Sequence, residues 1–294
     1  MDAIVDKQSQ LNRSTRTQWH LYGSHRQELE RLLIPDRPGQ RIGILGAGNC
    51  NDLDLRWMTG VYREIHLVDI DGEALARAVK LQRVADSPRI KLRAPVDLTG
   101  VADRLATWRK TPPAADEVKG CAGLAAAAEI KLPKTEDHGP SQLTDPGPGS
   151  ASGQFDIVLS PCVLSQLITP LRDSIGEDHP GFMPLLAAVR ARHLRLMLDL
   201  LSPGGRGVLA CDLLSSGTFP DLARVPKDRA ADFMGTMLSR GKCFSGLEPR
   251  AMAEILRRDC RAIDVRPVEP WIWHLGLSKS YLVYALTFRR MVSI

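Results

Sequence analysis

Residues 41–52 read R-I-G-I-L-G-A-G-N-C-N-D, an apolar run that ends in a glycine turn and passes into the start of a helix. A strand that feeds through glycines into a helix restricts the fold more than any other stretch of this chain. The glycines let the backbone pass close beneath a ligand, and the helix must cross back before the next strand can pair in parallel. The pattern then repeats. Strand-like runs near 41–46, 65–69, 90–96, 155–160 and 205–211 alternate with helical patterns near 52–59, 72–84, 101–108 and 183–201. Such alternation implies an α/β chain with a mostly parallel sheet and helices on both faces. Ligands of these sheets collect at the carboxyl ends of the strands, where the glycine loop, Asp69, Asp97 and Ser160 all fall.

The motif H-L-V-D-I-D ends the second strand with Asp69, about 20 residues beyond the loop, where an acid can accept two ribose hydroxyl hydrogen bonds. A nucleotide-type ligand follows. Two features favour a cationic ligand over a pyrophosphate. The third glycine of a dinucleotide loop would fall at Asn51, and Asp52 and Asp54 sit at the opening of the next helix, where they repel phosphate. S-adenosylmethionine, with its sulfonium and ammonium, suits that charge. Asp71 reads as the N-cap of the following helix. Asp97, in V-D-L-T-G, reads equally as a turn initiator or as an adenine contact. Ser160 and Cys162 lack a nearby histidine in sequence, and a cysteine in an apolar run points to packing rather than to a nucleophile.

With F-D-I-V-L-S-P-C-V-L-S-Q-L at 155–167 and L-S-P-G-G at 201–205, the loop and H-L-V-D-I-D resemble, in order and spacing, a class I S-adenosylmethionine-dependent methyltransferase. The resemblance implies a Rossmann-like, seven-stranded sheet with an antiparallel C-terminal strand, and S-adenosylmethionine as cofactor. It places Gly46, Ala47 and Gly48 beneath the methionyl part, Asp69 on the ribose and Ile70 on the adenine. Asp97 and Leu98 would flank the adenine, and Ser160 and Pro161 would sit beside the transferable methyl. The chain departs from the family pattern at Ile44, where many members carry an acid, and at Cys50, where a further glycine is usual. The implied chemistry is in-line methyl displacement, in which alignment and desolvation supply most of the catalysis, so no catalytic side chain stands out. Neither an N-P-P-Y type amine motif nor a cysteine pair of the cytosine-methylating kind is present, which favours a small-molecule acceptor over protein or RNA. The rival readings are an NAD(P)-dependent oxidoreductase, an aminopropyl transferase, and a non-catalytic binding protein on the same fold. An aminopropyl transferase would carry an acid after the fourth strand, where this chain has Ser160, Pro161 and Cys162.

Residues 1–40 read as an N-terminal helical extension and 41–294 as the methyltransferase domain. The first dozen residues are polar and expected to be loose. A helix then begins at Ser24 with Gln27 in the capping-box position, buries Leu29, Leu32 and Leu33, and ends at Pro35. His20 and His25, close to Trp19 and Tyr22, suit either a cover over the cofactor or ordinary helix packing. Residues 109–154, rich in Pro, Gly and Ser, read as a flexible insertion with a short helix near 121–130. Near the end, A-I-D-V-R-P-V and Y-L-V-Y-A-L-T-F are strands, and the E-P-W-I-W-H-L-G-L-S-K between them reads as a loop. Its Trp271, Trp273 and His274 are the candidate acceptor-binding residues, because aromatic faces attract a cationic amine.

The net charge of +5 comes from 39 basic residues spread among 34 acidic ones, which gives nucleic-acid binding no support. Six cysteines without a C-x-x-C pair imply free thiols and no metal site. The N-terminus lacks a signal-peptide core, and no apolar stretch reaches the roughly 18 residues that span a bilayer. The expectation is a soluble cytoplasmic protein without a membrane partner.

Overall fold

A computed structural model describes residues 2–127, 132, 155–276 and 279–292, with side chains from residue 7 onward. Seven strands, β1 (Arg41–Leu45), β2 (Glu64–Val68), β3 (Ile90–Arg93), β4 (Phe155–Pro161), β5 (Leu201–Ser215), β6 (Ala262–Leu275) and β7 (Lys279–Arg290), form one sheet in the order β3-β2-β1-β4-β5-β7-β6. The first five are parallel, and β7 runs antiparallel to both β5 and β6. This is the mostly parallel α/β sheet with an antiparallel C-terminal strand that the sequence implied.

Alternation along the central strands divides the core into two layers. Ile42, Ile44, Ile157, Leu159, Val208, Ala210, Val283 and Ala285 belong to one, whereas Val158, Leu209, Cys211, Leu282, Tyr284 and Leu286 belong to the other. Strand neighbours point to opposite faces, so a sheet covered on both sides needs apolar residues at every central position. The first face is covered by α2 (Gly23–Leu33), α3 (Leu55–Val61) and α4 (Gly72–Leu81), through residues such as Leu29, Met58 and Leu75. The second is covered by α5 (Ala102–Trp108), α6 (Ala115–Ala127), α7 (Val163–Ile175), α8 (Phe182–Leu200) and α10 (Pro249–Arg258). Two further helices are α1 (Asp2–Thr15) and α9 (Ala230–Ser239).

Several local expectations are corrected. The first dozen residues are not loose: they form α1, held by Asn12 Nδ2 to Asp71 Oδ2 at 3.0 Å and by Gln8 to Gln166 at 3.0 Å. The capping box at Ser24 does not form, because a 3-10 turn at Trp19–Tyr22 runs directly into α2 and leaves Ser24 inside the helical stretch. Within the segment read as a flexible insertion, α6 buries Val118, Cys121, Ala122 and Ala125 in the core. Small alanines let it approach α8 closely, which a reading of composition as disorder could not register. Residues 128–131 and 133–154 lie outside the described residues. Helix α7 has no counterpart in the sequence reading, because Pro170 reads as a break. It continues since Leu167, Ile168 and Leu171 are buried around that proline. Finally, the expected tryptophan loop is strand: Trp271 pairs with Val283 and Trp273 with Tyr281. Pro267 and Pro270 are tolerated there because β6 is an outer strand with bulges beside both.

One close approach in the sheet yields a test. Gly207 on β5 faces Phe288 on β7, and a Cβ at Gly207 would run into the phenyl ring. Gly207→Ala is expected to cost about 1–3 kcal/mol in urea unfolding, the scale of core overpacking. Adding Phe288→Leu should restore part of that loss.

Candidate active site

The glycine loop closes onto the neighbouring strand. Gly46 N and Ala47 N both donate to Val68 O, at 2.8 and 3.1 Å, and Cys50 N donates to Ala47 O at 2.8 Å. Gly48 N donates to Asp69 Oδ2 at 2.8 Å. Gly46 has φ +72° and faces Val163, so a side chain there is excluded both by conformation and by space. These four N–H groups are therefore consumed within the protein. The helix that follows is closed as well, since Asp54 accepts from Trp57 N at 2.9 Å as the N-cap of α3.

A cavity of about 660 Å³ opens over this loop at the carboxyl ends of the parallel strands, a size typical of small-ligand sites. Gly46, Ala47, Gly48, Asp69, Ile70, Asp97, Leu98, Pro161 and Trp273 all line it. Side chains of α1, among them Gln8, Leu11 and Asn12, form a wall, and α1 is fixed on one side by Asp71 and on the other by Gln166 and Asp173. Beyond the expected set, the structure adds Asp52, Tyr22, His25, Ser165, Asp212 and Tyr281 to the lining.

Three of the candidate residues are not brought to the cavity. Ser160 is fully buried, and its hydroxyl meets His193 Nε2 at 2.8 Å instead. Neighbouring residues on β4 face opposite sides, so placing Pro161 at the cavity turns Ser160 into the packing beneath. Trp271 lies in the core layer and donates its indole N–H to His25 Nδ1 at 3.1 Å. His274 alternates to the other face of β6 and is hydrogen bonded to Ser280 Oγ at 2.9 Å.

The acids divide by environment. Asp71 is an N-cap, accepting from Ala74 N at 3.0 Å. The Asp97 carboxylate accepts from Thr99 N, Thr99 Oγ1 and Ala102 N at 2.8, 2.6 and 3.0 Å, so it builds its own turn even though it borders the cavity. Asp69, only 4% exposed, accepts from Gly48 N and from Asp71 N at 2.9 Å. Burial pushes its carboxyl up to about 6, against the lowering effect of those two bonds. Desolvation of the Asp52 carboxyl pushes it up to about 7, and that of Asp212 does the same. At Asp52 and Asp212 the charges of Arg26 and Lys279 act against this only at a distance, and a cation in the cavity would favour both carboxylates.

The aromatic residues stack along one side. Trp273 has His25 at 4.5 Å and Tyr281 at 5.0 Å between ring centres, and Tyr22 leans on it at 4.6 Å. Burial pushes His25 down to about 3, so its ring is neutral. Since Trp271 can only donate, His25 Nδ1 must be the bare nitrogen and Nε2 carries the proton. That N–H and the Trp273 Nε1–H have no hydrogen-bond partner among the described residues. Sequence reasoning missed Asp212 and Tyr281, because only the pairing of β5 with β7 brings both to the cavity.

No family model and no curated protein sequence matches the chain. Among solved structures it is similar to the N-methyltransferase NodS from Bradyrhizobium japonicum WM9 in complex with S-adenosyl-L-homocysteine. That match has 15% identity, covers 91% of this chain and 86% of that one, and has a TM-score of 0.44. It is also similar to an S-adenosylmethionine-dependent methyltransferase from Methanosarcina mazei, at 11% identity, 87% and 95% coverage and a TM-score of 0.43. A putative methyltransferase from Bacillus halodurans C-125 matches at 8% identity, 92% and 100% coverage and a TM-score of 0.46. The strand order and the glycine loop at the carboxyl end of β1 give the chain a Rossmann-like, mostly parallel seven-stranded α/β fold. Among the described residues, no helix is long and apolar enough to cross a membrane, and no cluster of His, Cys, Asp or Glu could hold a metal ion.

Two variants check this description. Ser160→Ala should lower stability by about 1–3 kcal/mol, the scale for stranding a buried polar partner, here His193. Asp52→Asn should raise the melting temperature of the ligand-free protein at pH 8. The unfolded chain releases the Asp52 proton near pH 4 and the folded chain only near 7, so wild type loses stability as pH rises through that window and the amide does not. At pH 4 the two melting curves should coincide.

Proposed function

We propose that this protein transfers a methyl group from S-adenosylmethionine to a small-molecule acceptor by direct in-line displacement. The observation that carries this reading is the state of the glycine loop. A pyrophosphate site needs free N–H groups at the loop and an uncapped helix start. Here the N–H groups of Gly46, Ala47, Gly48 and Cys50 are spent on protein oxygens, Asp54 caps the helix, and the carboxyls of Asp52 and Asp69 line the cavity. Such a loop repels phosphates and suits a ligand that carries an ammonium and a sulfonium. That argues against the NAD(P) reading, and nothing observed favours the aminopropyl transferase or the non-catalytic alternative.

In this reading Gly46, Ala47 and Gly48 pass beneath the methionyl part, and Asp52 faces its ammonium. Asp69 holds the ribose with the lone pairs that Gly48 N and Asp71 N leave free. Ile70 and Leu98 bracket the adenine, with the Asp97 side chain acting as the frame of that turn rather than as a donor set. Pro161 borders the methyl, and Trp273 belongs to the acceptor wall. When bound, the cofactor supplies a methyl on a sulfonium, already a good leaving group. The protein has to align the acceptor, strip its water, and remove a proton if one blocks the attacking atom.

Addition of S-adenosylhomocysteine should raise the melting temperature by an amount equivalent to about 2.7 kcal/mol at a hundredfold excess over Kd, because only the native state binds. NAD and NADP at the same concentrations should leave it unchanged. A shift with NAD and none with S-adenosylhomocysteine would replace the methyltransferase reading with the oxidoreductase one.

A further inference from the structure

The inference drawn here rests on the methyl-transfer reading and concerns the half of the cavity beyond the methyl position. Asp212 lies near the carboxyl end of β5, the strand beside β4, and is 8% exposed. Ser165 Oγ donates to its Oδ1 at 2.7 Å. Its Oδ2 has no side-chain hydrogen bond, and no basic side chain lies within ion-pair distance, among the described residues. A buried carboxylate held only by Ser165 and its own backbone N–H is costly unless something cationic meets it.

Lys279 borders the same cavity without filling that role. Its Nζ lies over the Tyr281 ring, 4.9 Å from the centre, rather than on Asp212. Both faces of Trp273 are covered, by His25 and by Tyr281. The aromatic wall is thus a closed stack and not an open cage for a fully alkylated ammonium. Across the methyl position, Asp52 and Asp212 both act on Cys162, and burial together with these two charges pushes that thiol well up, leaving it un-ionised. An anionic acceptor arriving at this point would face two carboxylates. A protonated amine would find the Asp212 carboxylate oxygen that Ser165 leaves free, which favours a cation.

We propose that the methyl acceptor is a primary or secondary amine that enters as its ammonium, and that Asp212 Oδ2 binds this ammonium and removes the proton that masks the nitrogen lone pair. The proton moves from nitrogen to Oδ2. The nitrogen lone pair then forms the new N–C bond as the S–C bond breaks, and that electron pair stays on sulfur as a neutral thioether. The product leaves as an ammonium with one more methyl, and Asp212 returns its proton to solvent through the cavity. Ser165 keeps Oδ1 occupied and so leaves Oδ2 as the oxygen that faces the amine.

The proposal fixes a pH dependence. Burial pushes Asp212 up to about 7. Simple amines titrate near 10, as lysine does, so between pH 8 and 5.5 they stay cationic while Asp212 takes up a proton. The other groups facing Asp212 are Lys279 from the start of β7, Cys162 before α7, Cys211 on β5, and Tyr281 and Tyr284 on β7. Burial raises both thiols and both phenols, so none of these four ionises in this window. Asp52 titrates over the same range, and an Asp212 variant separates the two.

The test uses the full chain saturated with S-adenosylhomocysteine for binding, and with S-adenosylmethionine for turnover. The probes are two matched series: phenethylamine, 2-phenylethanol, 2-phenylethanethiol and 3-phenylpropionate, then hexylamine, hexanol, hexanethiol and hexanoate. Calorimetry should show an amine binding at least tenfold tighter than its alcohol, thiol and carboxylate partners, with affinity falling at least tenfold from pH 8 to 5.5. Turnover should give the N-methylamine. Asp212→Asn should abolish the pH dependence of amine binding and lower kcat/KM at least a hundredfold, with S-adenosylhomocysteine affinity within threefold of wild type. Asp212→Glu should restore part of the rate. Preference for an alcohol, thiol or carboxylate, no amine binding in either series, or an Asp212→Asn protein that keeps the pH dependence would each overturn the proposal. Failure to bind S-adenosylhomocysteine at all would instead remove the methyl-transfer reading on which it rests.

Discussion

The closure of the glycine loop onto β2 is the constraint on which the rest of the site depends. Val68 O receives two N–H groups, from Gly46 and Ala47, and Asp69 receives the next, from Gly48. These bonds join the ends of two adjacent parallel strands just where their ladder stops. They require left-handed backbone at Gly46 and Gly48, and they leave Gly46 packed against Val163 at the start of α7. The ends of β1, β2 and β4 are thereby fixed together. The same bonds remove the loop's ability to hold an anion, so one piece of backbone geometry sets both the shape of the cavity and the charge of the ligand it favours.

Buried carboxylates follow from that geometry. Parallel strands ending at one edge bring Asp69 and Asp212 to a common cavity, and the connection to α3 adds Asp52. Among the described residues none of the three is in an ion pair, Arg26 and Lys279 act on Asp52 and Asp212 only at a distance, and burial raises all three. A fold that only needed stability would not collect unpaired acids in this way, since each lowers the stability of the ligand-free protein above about pH 7. Two neighbouring acids serve the fold instead: Asp71 accepts from Ala74 N and Asn12 Nδ2, Asp97 from Thr99 N, Thr99 Oγ1 and Ala102 N, and both act as structural caps.

The chain terminus completes the enclosure. Helix α1 spans from Asp71, beside the ribose candidate, to Gln166 and Asp173 on α7, and its side chains line the cavity between. Asn49 and Asn51 of the glycine loop donate to Asn12 O and Thr15 O, at 2.5 and 2.9 Å. Asn51, which stands where a dinucleotide loop carries its third glycine, is therefore a fastening for the N-terminal helix. The same substitution that weakens a dinucleotide reading has a positive structural use.

Sequence alone determined what depends on local spacing. Glycines after an apolar run, an acid one strand later, and apolar alternation with period two or near four reflect the rules that strands and helices obey individually, so the parallel sheet, the loop, Asp69 and the Asp71 cap were legible in the order of residues. The polarity of α1 and the proline of α7 hid two helices, and the small residues of α6 hid that the short helix expected near 121–130 begins at Ala115 and is packed in the core, because their stability comes from partners distant in sequence rather than from local preference. Tertiary structure alone decided which side chains face the cavity. The one-residue alternation of β4 exposes Pro161 and buries Ser160 on His193, and extension of β6 through Trp273 converts an expected loop into strand and turns His274 away. Antiparallel pairing of β5 with β7 brings Asp212 and Tyr281 to the same cavity. Orientation about a strand and proximity between strands depend on register, and register is set by the packing of the whole sheet.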